Sequence, residues 1–549
     1  MNRLFLASIL ILAAVLRFWD IGKLPNGLHW DEQDTGYQAY SLLKTGRDYF
    51  GNPLPLFPHS LAEYRTPVFI YSAVPFVKLL GLTPTSVRLP AAIFGTISVL
   101  LIYILANLLF ENLKIKKIFG IWNLKIGNLA AFTAAFSPWA IQYSRQSVET
   151  GSALCLFLLA LCLFLRRKLP ISALFFGLAA AAYSPMKLFV PLFLLPLFTI
   201  YYLLFTRKQL FIFGLVFSLI FIPVAWDGIF GHSGQRFHEL SIFTDPVTAS
   251  VVNQRREYQM LSSGIPRVVG LSPRLIDKII YNKPVIWAQT FLDNYFHTFS
   301  TQFLFTRGDK ELRHSPGSES IGMLQLIEVF PLLIGLYLLI NRLINHKLTI
   351  LLWLLLAPIP ASLTRSDNPH AARLLILLPA LILIISLGLS KLKRPLLLAY
   401  CGLWLVANVF YLTYFFSNYR WESAKPFQWG FDKAISEGLA ASKSYDRVIL
   451  DFHSDSPLMS YLFYTGISPA EFQSMQPLPS LEIAPGVTGN VFGNVFLLHS
   501  GNRVWTDIHL SGRNLVIAAA DLPRLDLISE NISRIDYPDS TPAFYILER

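Results

Sequence analysis

Apolar runs long enough to cross a lipid bilayer recur along this chain and constrain its fold more than any other feature. The chain has 549 residues, of which 53% are hydrophobic and only 15% charged. A helix that spans a bilayer needs about 17 to 25 mainly apolar residues, and about eleven runs approach that length. We therefore predict a mainly α-helical, polytopic membrane bundle of about eleven transmembrane helices. The runs lie near 4–20, 88–110, 126–144, 150–165, 169–184, 187–206, 209–226, 321–340, 348–363, 373–390 and 395–416.

Basic residues in the short loops between these runs predict the orientation of the chain. Short cytoplasmic loops carry an excess of Lys and Arg. If the N-terminus lies in the cytoplasm, every short basic loop falls on the inner side. We therefore assign most of the net charge of +12 to topology and lipid contact, not to nucleic acid, and predict a multi-pass plasma-membrane protein with an extracytoplasmic C-terminus. The loop residues are Lys114, Lys116, Lys117, Lys125, Arg166, Arg167, Lys168, Arg207, Lys208, Arg342, Lys347, Lys391, Lys393 and Arg394.

Three longer regions are expected on the outer side: 20–86, 227–320 and 417–549. The first contains two stretches, 34–43 and 67–80, that read as amphipathic helices at the membrane interface. The C-terminal region has a helical pattern over 427–441 and strand patterns over 447–452, 490–498 and 515–519, with a closing hairpin within 534–548. We predict a transmembrane domain over 1–416 and a small extracytoplasmic α/β domain over 417–549.

Two adjacent carboxylates, Asp31 and Glu32, follow the first apolar run and are the strongest candidates for catalysis. Acids near lipid are costly unless a metal, a cation or a reaction uses them. Asp31 is predicted to be a catalytic group, and the alternative is an N-cap for a helix that begins at Glu32. Glu32 is either its catalytic companion or a first-turn residue that complements the helix dipole. Asp34 is expected at the surface.

Further polar side chains stand at the outer ends of the apolar runs, where they are expected to bind an anionic, phosphate-bearing substrate. Arg65 has an alternative as an interfacial arginine whose head reaches the lipid headgroups. Arg145 and Glu149 have an alternative as a structural bridge, because they are four residues apart. In the second outer region, Asp309 and His314 are expected to close over the substrate. The candidates for substrate and phosphate binding are Tyr64, Arg65, Arg145, Glu149, Lys187, His370 and Arg373.

The three cysteines, Cys155, Cys162 and Cys401, all lie in apolar runs. Cys155 and Cys162 are about two helical turns apart, too far for a disulfide. They are interpreted as small core residues. No acidic-histidine metal cluster stands out in the sequence, so no cofactor is assigned and a divalent metal ion is left open.

Several motifs resemble those of glycosyltransferase family 39, which has the GT-C fold and includes protein O-mannosyltransferases and aminoarabinose lipid A transferases. The resemblance covers residues 1–416, and the C-terminal region is similar to the extracytoplasmic domain of many such proteins. The acid pair is followed here by Gln33 and Asp34 rather than by the His and Phe of the mannosyltransferases. The motifs are Trp-Asp-Glu-Gln-Asp-Thr-Gly-Tyr (30–37), Tyr-Arg-Thr-Pro (64–67), Val-Arg-Leu-Pro (87–90), Ser-Arg (144–145) and Pro-His-Ala-Ala-Arg (369–373).

The resemblance implies transfer of a hexosyl or pentosyl group from a polyprenyl-phosphate donor to an acceptor protein, lipid or glycan on the outer face, with inversion at the anomeric carbon. It implies that Asp31 is the essential first-loop acid with Glu32 as its companion. Arg65 takes the place of the lysine that binds phosphate in the aminoarabinose transferases. The Glu that precedes that lysine is displaced here to Glu63.

Two other classes of protein fit a chain with many spans. One is a transporter or flippase of a lipid-linked glycan, and the other is a non-catalytic membrane scaffold. Transporters place polar groups near the bilayer midplane and show repeated halves. Here the charges lie at the outer rim and no repeat is apparent, which favours the enzyme.

Overall fold

A computed structural model describes residues 2–61, 63–111, 125–262, 275–318, 321–341, 346–365, 369–452, 457–499, 510–520 and 532–548. Helices dominate these residues, and a seven-stranded sheet lies in the C-terminal region. The expected mainly α fold with a C-terminal α/β region is confirmed. Of the basic residues used to predict orientation, Lys114, Lys116, Lys117 and Arg342 lie outside the described ranges, and the orientation stays a prediction.

Each predicted apolar run contains at least part of a helix, and further helices lie between the runs. The run 126–144 is divided at Ser137 and the run 348–363 at Ala357, in both cases next to a proline, which lacks the N–H that a continuous helix needs. The helices that precede the C-terminal region are α1 (Asn2–Phe18), α2 (Trp30–Thr45), α3 (Pro67–Leu80), α4 (Pro84–Leu109), α5 (Ile126–Phe136), α6 (Pro138–Tyr143), α7 (Glu149–Leu165), α8 (Leu169–Ala182), α9 (Met186–Tyr201), α10 (Arg207–Phe230), α11 (Gln235–Leu240), α12 (Val247–Ser262), α13 (Leu275–Ile280), α14 (Lys283–His297), α15 (Val329–Asn341), α16 (Lys347–Leu356), α17 (Ile359–Ser362), α18 (Ala371–Leu374), α19 (Leu378–Leu389) and α20 (Arg394–Phe416). Of these, α2, α3 and α11 to α14 lie between the runs.

Five helices of the described ranges are by themselves long and apolar enough to cross a membrane. This is fewer than the eleven spans predicted, because the remaining runs form shorter apolar helices, such as α7 and α8. A membrane location is supported by these five helices. They are Pro84–Leu109, Met186–Leu204, Arg207–Phe230, Ala371–Leu389 and Arg394–Glu422.

The chain forms two compact units. The first, called here the helical unit, comprises Met1–Leu10, Ser98–Ala140 and Ala153–Ala407. The second, called here the mixed unit, comprises Ile11–Ile97, Ile141–Ser152 and Asn408–Arg549. The predicted domain boundary between residues 416 and 417 stays a prediction.

Close backbone packing joins α15 and α19 within the helical unit. A Cβ atom built on Gly335 would lie 1.9 Å from the carbonyl oxygen of Ile384, and one on Gly388 would lie 1.9 Å from that of Pro331. Small residues allow membrane helices to approach this closely, and van der Waals contact then stabilises the pair. The two glycines therefore set the spacing of these helices.

The sheet of the mixed unit has the strand order β2-β3-β4-β1-β5-β7-β6. β1 pairs in parallel with β4 and β5, and the remaining neighbours are antiparallel. The expected closing hairpin is confirmed as β6 and β7, whereas the run 490–498 forms parts of two strands that turn at Gly493. The elements are α21 (Asn418–Glu422), α22 (Phe431–Ala441), β1 (Arg447–Asp451), α23 (Pro457–Thr465), α24 (Pro469–Ser474), β2 (Ser480–Ala484), β3 (Val487–Phe492), β4 (Val495–Leu498), β5 (Asn514–Ala519), β6 (Ile532–Asp536) and β7 (Pro542–Glu548).

Helix α2 of the first outer region packs into the core of this α/β region. Tyr37 and Tyr49 are fully buried in the same apolar cluster as Phe472. The Tyr37 hydroxyl donates to the Ile467 carbonyl at 3.0 Å, and the Ser460 hydroxyl donates to the Gln33 side-chain oxygen at 2.6 Å. The helix predicted over 34–43 is thus a buried element that runs from Trp30 to Thr45, and its amphipathic interpretation as an interfacial helix is wrong.

The α15–α19 contact predicts the effect of a single added methyl group. We expect Gly335→Ala to destabilise the protein by about 1 to 3 kcal/mol, because the new Cβ would overlap the Ile384 carbonyl. Gly402→Ala in α20 is the matched control, since nothing lies within 4 Å of a Cβ at that position. Thermal unfolding in detergent checks both variants, and equal melting temperatures for the two would contradict the packing argument.

Candidate functional site

The N-terminus of α2 places the two adjacent acids in the first turn of a capped helix. His29 is the N-cap: its Nδ1 accepts from the Asp31 backbone N–H at 3.2 Å, and its own N–H donates to Glu32 Oε2 at 3.4 Å. The alternative in which Asp31 caps a helix beginning at Glu32 is therefore wrong. Successive helical residues point about 100° apart, so Asp31 and Glu32 contact different partners.

Asp31 belongs to a group of four carboxylates around one guanidinium, called here the Arg65 cluster. Arg65 forms an ion pair with Asp31. Its Nε lies 3.3 Å from Asp34 Oδ2 and 3.4 Å from Glu63 Oε1, and its Nη1 lies 3.5 Å from Glu149 Oε1. The Asp31 side chain is 21% exposed, more than that of any other member of the cluster. Asp31 is thus the acid of this cluster that an incoming molecule reaches most readily.

Arg65 is buried, with 4% of its side chain exposed. Burial lowers its pKa, but the attraction of Asp31, Glu63 and the other two carboxylates raises it well above the usual range. The face of the Trp30 ring lies 5.4 Å from its guanidinium carbon. An arginine so enclosed does not extend its head to lipid headgroups, and its charge is already matched by acids. It is suited to orient Asp31.

Asp34 was expected at the surface, and this is wrong because α2 packs into the core. Asp34 is fully buried. Its Oδ1 accepts from the Tyr49 hydroxyl at 2.7 Å and from the Ser60 hydroxyl at 2.8 Å. Burial raises the pKa of Asp34, and the nearby Arg65 charge opposes that shift. Asp34 therefore helps to hold Arg65 from the interior side.

Glu32 forms a buried ion pair with Arg88 near the start of α4. Arg88 Nε donates to Glu32 Oε1 at 2.9 Å, and Nη2 donates to Oε2 at 2.8 Å. The backbone N–H of Ser147 also donates to Glu32 Oε1, at 2.8 Å. The remaining N–H groups of Arg88 donate to the carbonyls of Ile21, Pro25 and Gly27 at 2.7 to 3.2 Å. This pair joins α2, α4 and the segment before α7.

Arg88 was not among the residues expected at the site. Its signal in the sequence is the motif Val-Arg-Leu-Pro over 87–90, in which an arginine stands at the start of the apolar run 88–110. That motif contributes to the resemblance but does not by itself identify Glu32 as the partner.

Arg145 does not pair with Glu149, so the structural bridge between these two residues is wrong. The guanidinium of Arg145 is buried. It donates to backbone carbonyls of the last turn of α1 and of the segment that follows α1. Backbone carbonyls at the C-terminus of a helix lack intrahelical partners, and a guanidinium satisfies several at once. We conclude that Arg145 holds the chain turn after the first apolar run. The accepting carbonyls are those of Leu16, Arg17, Trp19 and Leu24, at 2.7 to 3.3 Å.

Tyr64 precedes Arg65 and stacks on the ring of His59. The ring centroids are 4.5 Å apart and the planes differ by 9°. His59 in turn stacks on Phe50, with 4.2 Å between centroids. This stack supports the loop that carries Arg65.

Lys187, His370 and Arg373 belong to the helical unit, whereas Asp31, Arg65, Glu149 and Arg145 belong to the mixed unit. Lys187 Nζ donates to the Ser233 hydroxyl at 2.9 Å. Arg373 Nη1 donates to the Thr364 hydroxyl at 2.7 Å. The Lys187 and Arg373 side chains thus each contact a hydroxyl group of the same unit.

His370 lies beside His314, with 4.3 Å between the ring centroids. Burial and the nearby charges of Arg373 and His314 keep the pKa of His370 well below its usual range. Asp309, His314 and His370 have donor atoms that all lie within 4.8 Å of one another, an arrangement that fits a metal ion. Asp309 and His314 had been expected only to cover a substrate.

Comparisons with known proteins give matches among solved structures. No protein-family model matches the chain, and no curated protein does. The crystal structure of ArnT from Cupriavidus metallidurans bound to undecaprenyl phosphate is similar with a TM-score of 0.49 and 11% identity, over 99% of this chain and 97% of that chain. ArnT from the same organism in the apo state is similar with a TM-score of 0.48 and 10% identity, over the same shares.

The buried position of the Glu32–Arg88 pair predicts a large stability effect. We expect Arg88→Met to cost about 3 to 5 kcal/mol, because it leaves the Glu32 carboxylate buried without its counter-ion. The matched control is Arg420→Met, which removes an exposed arginine 3.7 Å from Asp20 and is expected to cost about 1 kcal/mol or less. Thermal or denaturant unfolding in detergent measures both. A similar cost for the two variants would show that Glu32 does not depend on Arg88.

Proposed function

We propose that this chain is a membrane glycosyltransferase that transfers a sugar from a polyprenyl-phosphate donor to an acceptor nucleophile on the extracytoplasmic face. Its membrane-spanning helices are suited to a donor whose polyprenyl chain lies in the bilayer. The first-loop motif that contains Asp31 resembles the one that carries the essential acid of glycosyltransferase family 39. The extracytoplasmic position of the acceptor follows from the predicted orientation, and that orientation is part of the proposal.

The observation that carries the proposal is the position of Asp31 within the Arg65 cluster. A general base must be ionised, held in place and open to its substrate. A carboxylate paired with a guanidinium is stabilised in its ionised form, and the Asp31 side chain pairs with Arg65 while remaining 21% exposed. The other three acids of the cluster are less exposed, so Asp31 is the best placed to receive a proton.

The proposed reaction is a single displacement with inversion. The acceptor O–H or N–H donates its proton to the Asp31 carboxylate as the acceptor atom bonds to the anomeric carbon. The bond between that carbon and the phosphate oxygen breaks at the same time, and its electron pair leaves with polyprenyl phosphate. Because the leaving group is already an anion, it needs cations rather than a proton donor. One carboxylate base is then sufficient, unlike in glycoside hydrolases, which use two.

The other predicted residues take different parts in this proposal. Arg65 orients Asp31, with Glu149 as a further anion on the same guanidinium, and Glu32 supports the helix turn through Arg88. Four carboxylates around Arg65 repel a phosphate group, so Arg65 is not assigned as the phosphate ligand. Lys187 and Arg373, which each donate to a hydroxyl group within the helical unit, stay predicted phosphate ligands.

Replacement of Asp31 tests the proposal. We expect Asp31→Asn to reduce kcat for sugar transfer by about 100-fold or more, since general-base catalysis contributes factors of about 10² to 10⁴. The KM for the donor is expected to change little. The measurement uses purified protein in lipid nanodiscs, a panel of radiolabelled polyprenyl-phosphate sugars and a membrane extract that supplies acceptors.

Glu63→Gln is the control, because it also removes a carboxylate from Arg65, 3.4 Å away, but leaves the proposed base. We expect its kcat to fall much less than that of Asp31→Asn. Equal losses in the two variants would assign the effect to the charge balance at Arg65 and remove Asp31 as the base. Absence of transfer with every donor would favour the scaffold, and flux of a lipid-linked glycan across sealed vesicles that survives Asp31→Asn would favour the transporter.

A further inference from the structure

We infer that Asp309, His314 and His370 form a binding site for one divalent transition-metal ion in the helical unit. The three side chains come from the loop after α14 and from the residue before α18. Their donor atoms lie within 4.8 Å of one another, and His314 Nδ1 lies 3.8 Å from Asp309 Oδ2. A single ion placed among them would contact all three after small side-chain rotations.

The carboxylate of this group is held in position by backbone N–H groups. Asp309 is 6% exposed. Its Oδ2 accepts from the Ala371 N–H at 2.8 Å, and its Oδ1 accepts from the Glu311 N–H at 3.1 Å. Because Ala371 follows His370 directly, the first of these bonds also ties the carboxylate to the histidine that completes the group. Such supporting hydrogen bonds are typical of the ligands of metal sites.

His370 supplies an independent observation that points to a ligand. Its Nδ1 is buried and has no hydrogen-bond partner among the described residues. A buried polar atom without a partner costs about 1 to 3 kcal/mol, and such atoms are rare in folded proteins. The neighbouring ring is that of another histidine, with 4.3 Å between centroids. A metal ion bound by both imidazoles would satisfy this nitrogen.

The ligand types select the class of ion. Two imidazoles and one carboxylate suit zinc and other first-row transition metals, whereas Mg²⁺ and Ca²⁺ favour sites made of oxygen atoms. Three protein ligands leave a coordination position for water or for an oxygen of a bound molecule, as in catalytic zinc sites. Arg313 and Arg373 are near enough to His370 to oppose a further positive charge, which makes the Asp309 carboxylate essential to the site.

Metal binding to the full-length protein tests this inference directly. The protein is purified in detergent with a tag that contains no histidine, stripped with a chelator, and titrated with Zn²⁺ by calorimetry. We expect about one Zn²⁺ per chain, and a Co²⁺ absorption band in the visible range. Removal of one ligand by His314→Gln or His370→Gln is expected to weaken Zn²⁺ binding by about 100-fold or more. Loss of a residue that only supports a ligand weakens metal binding by about 10- to 100-fold.

Two further variants make the test specific. His238→Gln removes an exposed histidine of the same outer region and is expected to bind Zn²⁺ like the wild type. Asp309→Asn keeps an oxygen for the Ala371 N–H but not for the Glu311 N–H, and it is expected to lose metal affinity. Unfolding temperatures of the metal-free proteins identify any variant that fails to fold.

Three results would overturn the inference: no stoichiometric Zn²⁺ binding by the wild type, unchanged binding in folded His314→Gln and His370→Gln, or displacement of Zn²⁺ by an equal concentration of Mg²⁺. The test requires no sugar donor or acceptor. Its outcome is therefore independent of whether the proposed glycosyl transfer occurs.

Discussion

The buried ion pair between Glu32 and Arg88 is the interaction on which the rest of the mixed unit depends. Taking two charges out of water costs several kcal/mol for each ion. This cost is offset only when the hydrogen-bonding groups are satisfied, and all five N–H groups of Arg88 donate to the carboxylate or to backbone carbonyls. The pair thereby fixes the first turn of α2 against α4. Since Asp31 lies in that turn, its position follows from a contact made by its neighbour.

The two adjacent acids show how one helical turn divides structural and chemical tasks. Glu32 points inward, is 2% exposed and has its charge matched by a single arginine. Asp31 points toward a second arginine, Arg65, whose charge is shared among four carboxylates. The excess of negative charge around Arg65 disfavours a phosphate group there. The environments of the two acids therefore differ, although Asp31 and Glu32 are adjacent in the chain.

Local features of the fold were predictable from the sequence, whereas contacts between distant residues were not. Helix α3 has the bounds predicted for it, because its apolar residues lie between Pro67 and Gly81, which begin and end a helix. The closing hairpin was likewise predictable from a polar turn between two strand patterns. The burial of Asp34 was not, since it depends on the packing of α2 into a core completed by residues more than 400 positions later, such as Phe472. The group of Asp309, His314 and His370 joins two distant segments for the same reason, and its sequence spacing matches no metal-binding motif.

The shared core of α2 and the C-terminal region has a consequence for biosynthesis. Gln473 donates to side chains of Ser41 and Thr45 and to the Asp48 carbonyl at 2.8 to 3.2 Å. The ribosome completes α2 about 400 residues before it reaches this glutamine, a delay of roughly 20 to 80 s at about 5 to 20 residues per second. During that interval the apolar face of α2, including Tyr37, lacks its partner. Nascent chains of this protein thus pass through a stage in which α2 and its acid pair have been synthesised but the core that supports them has not.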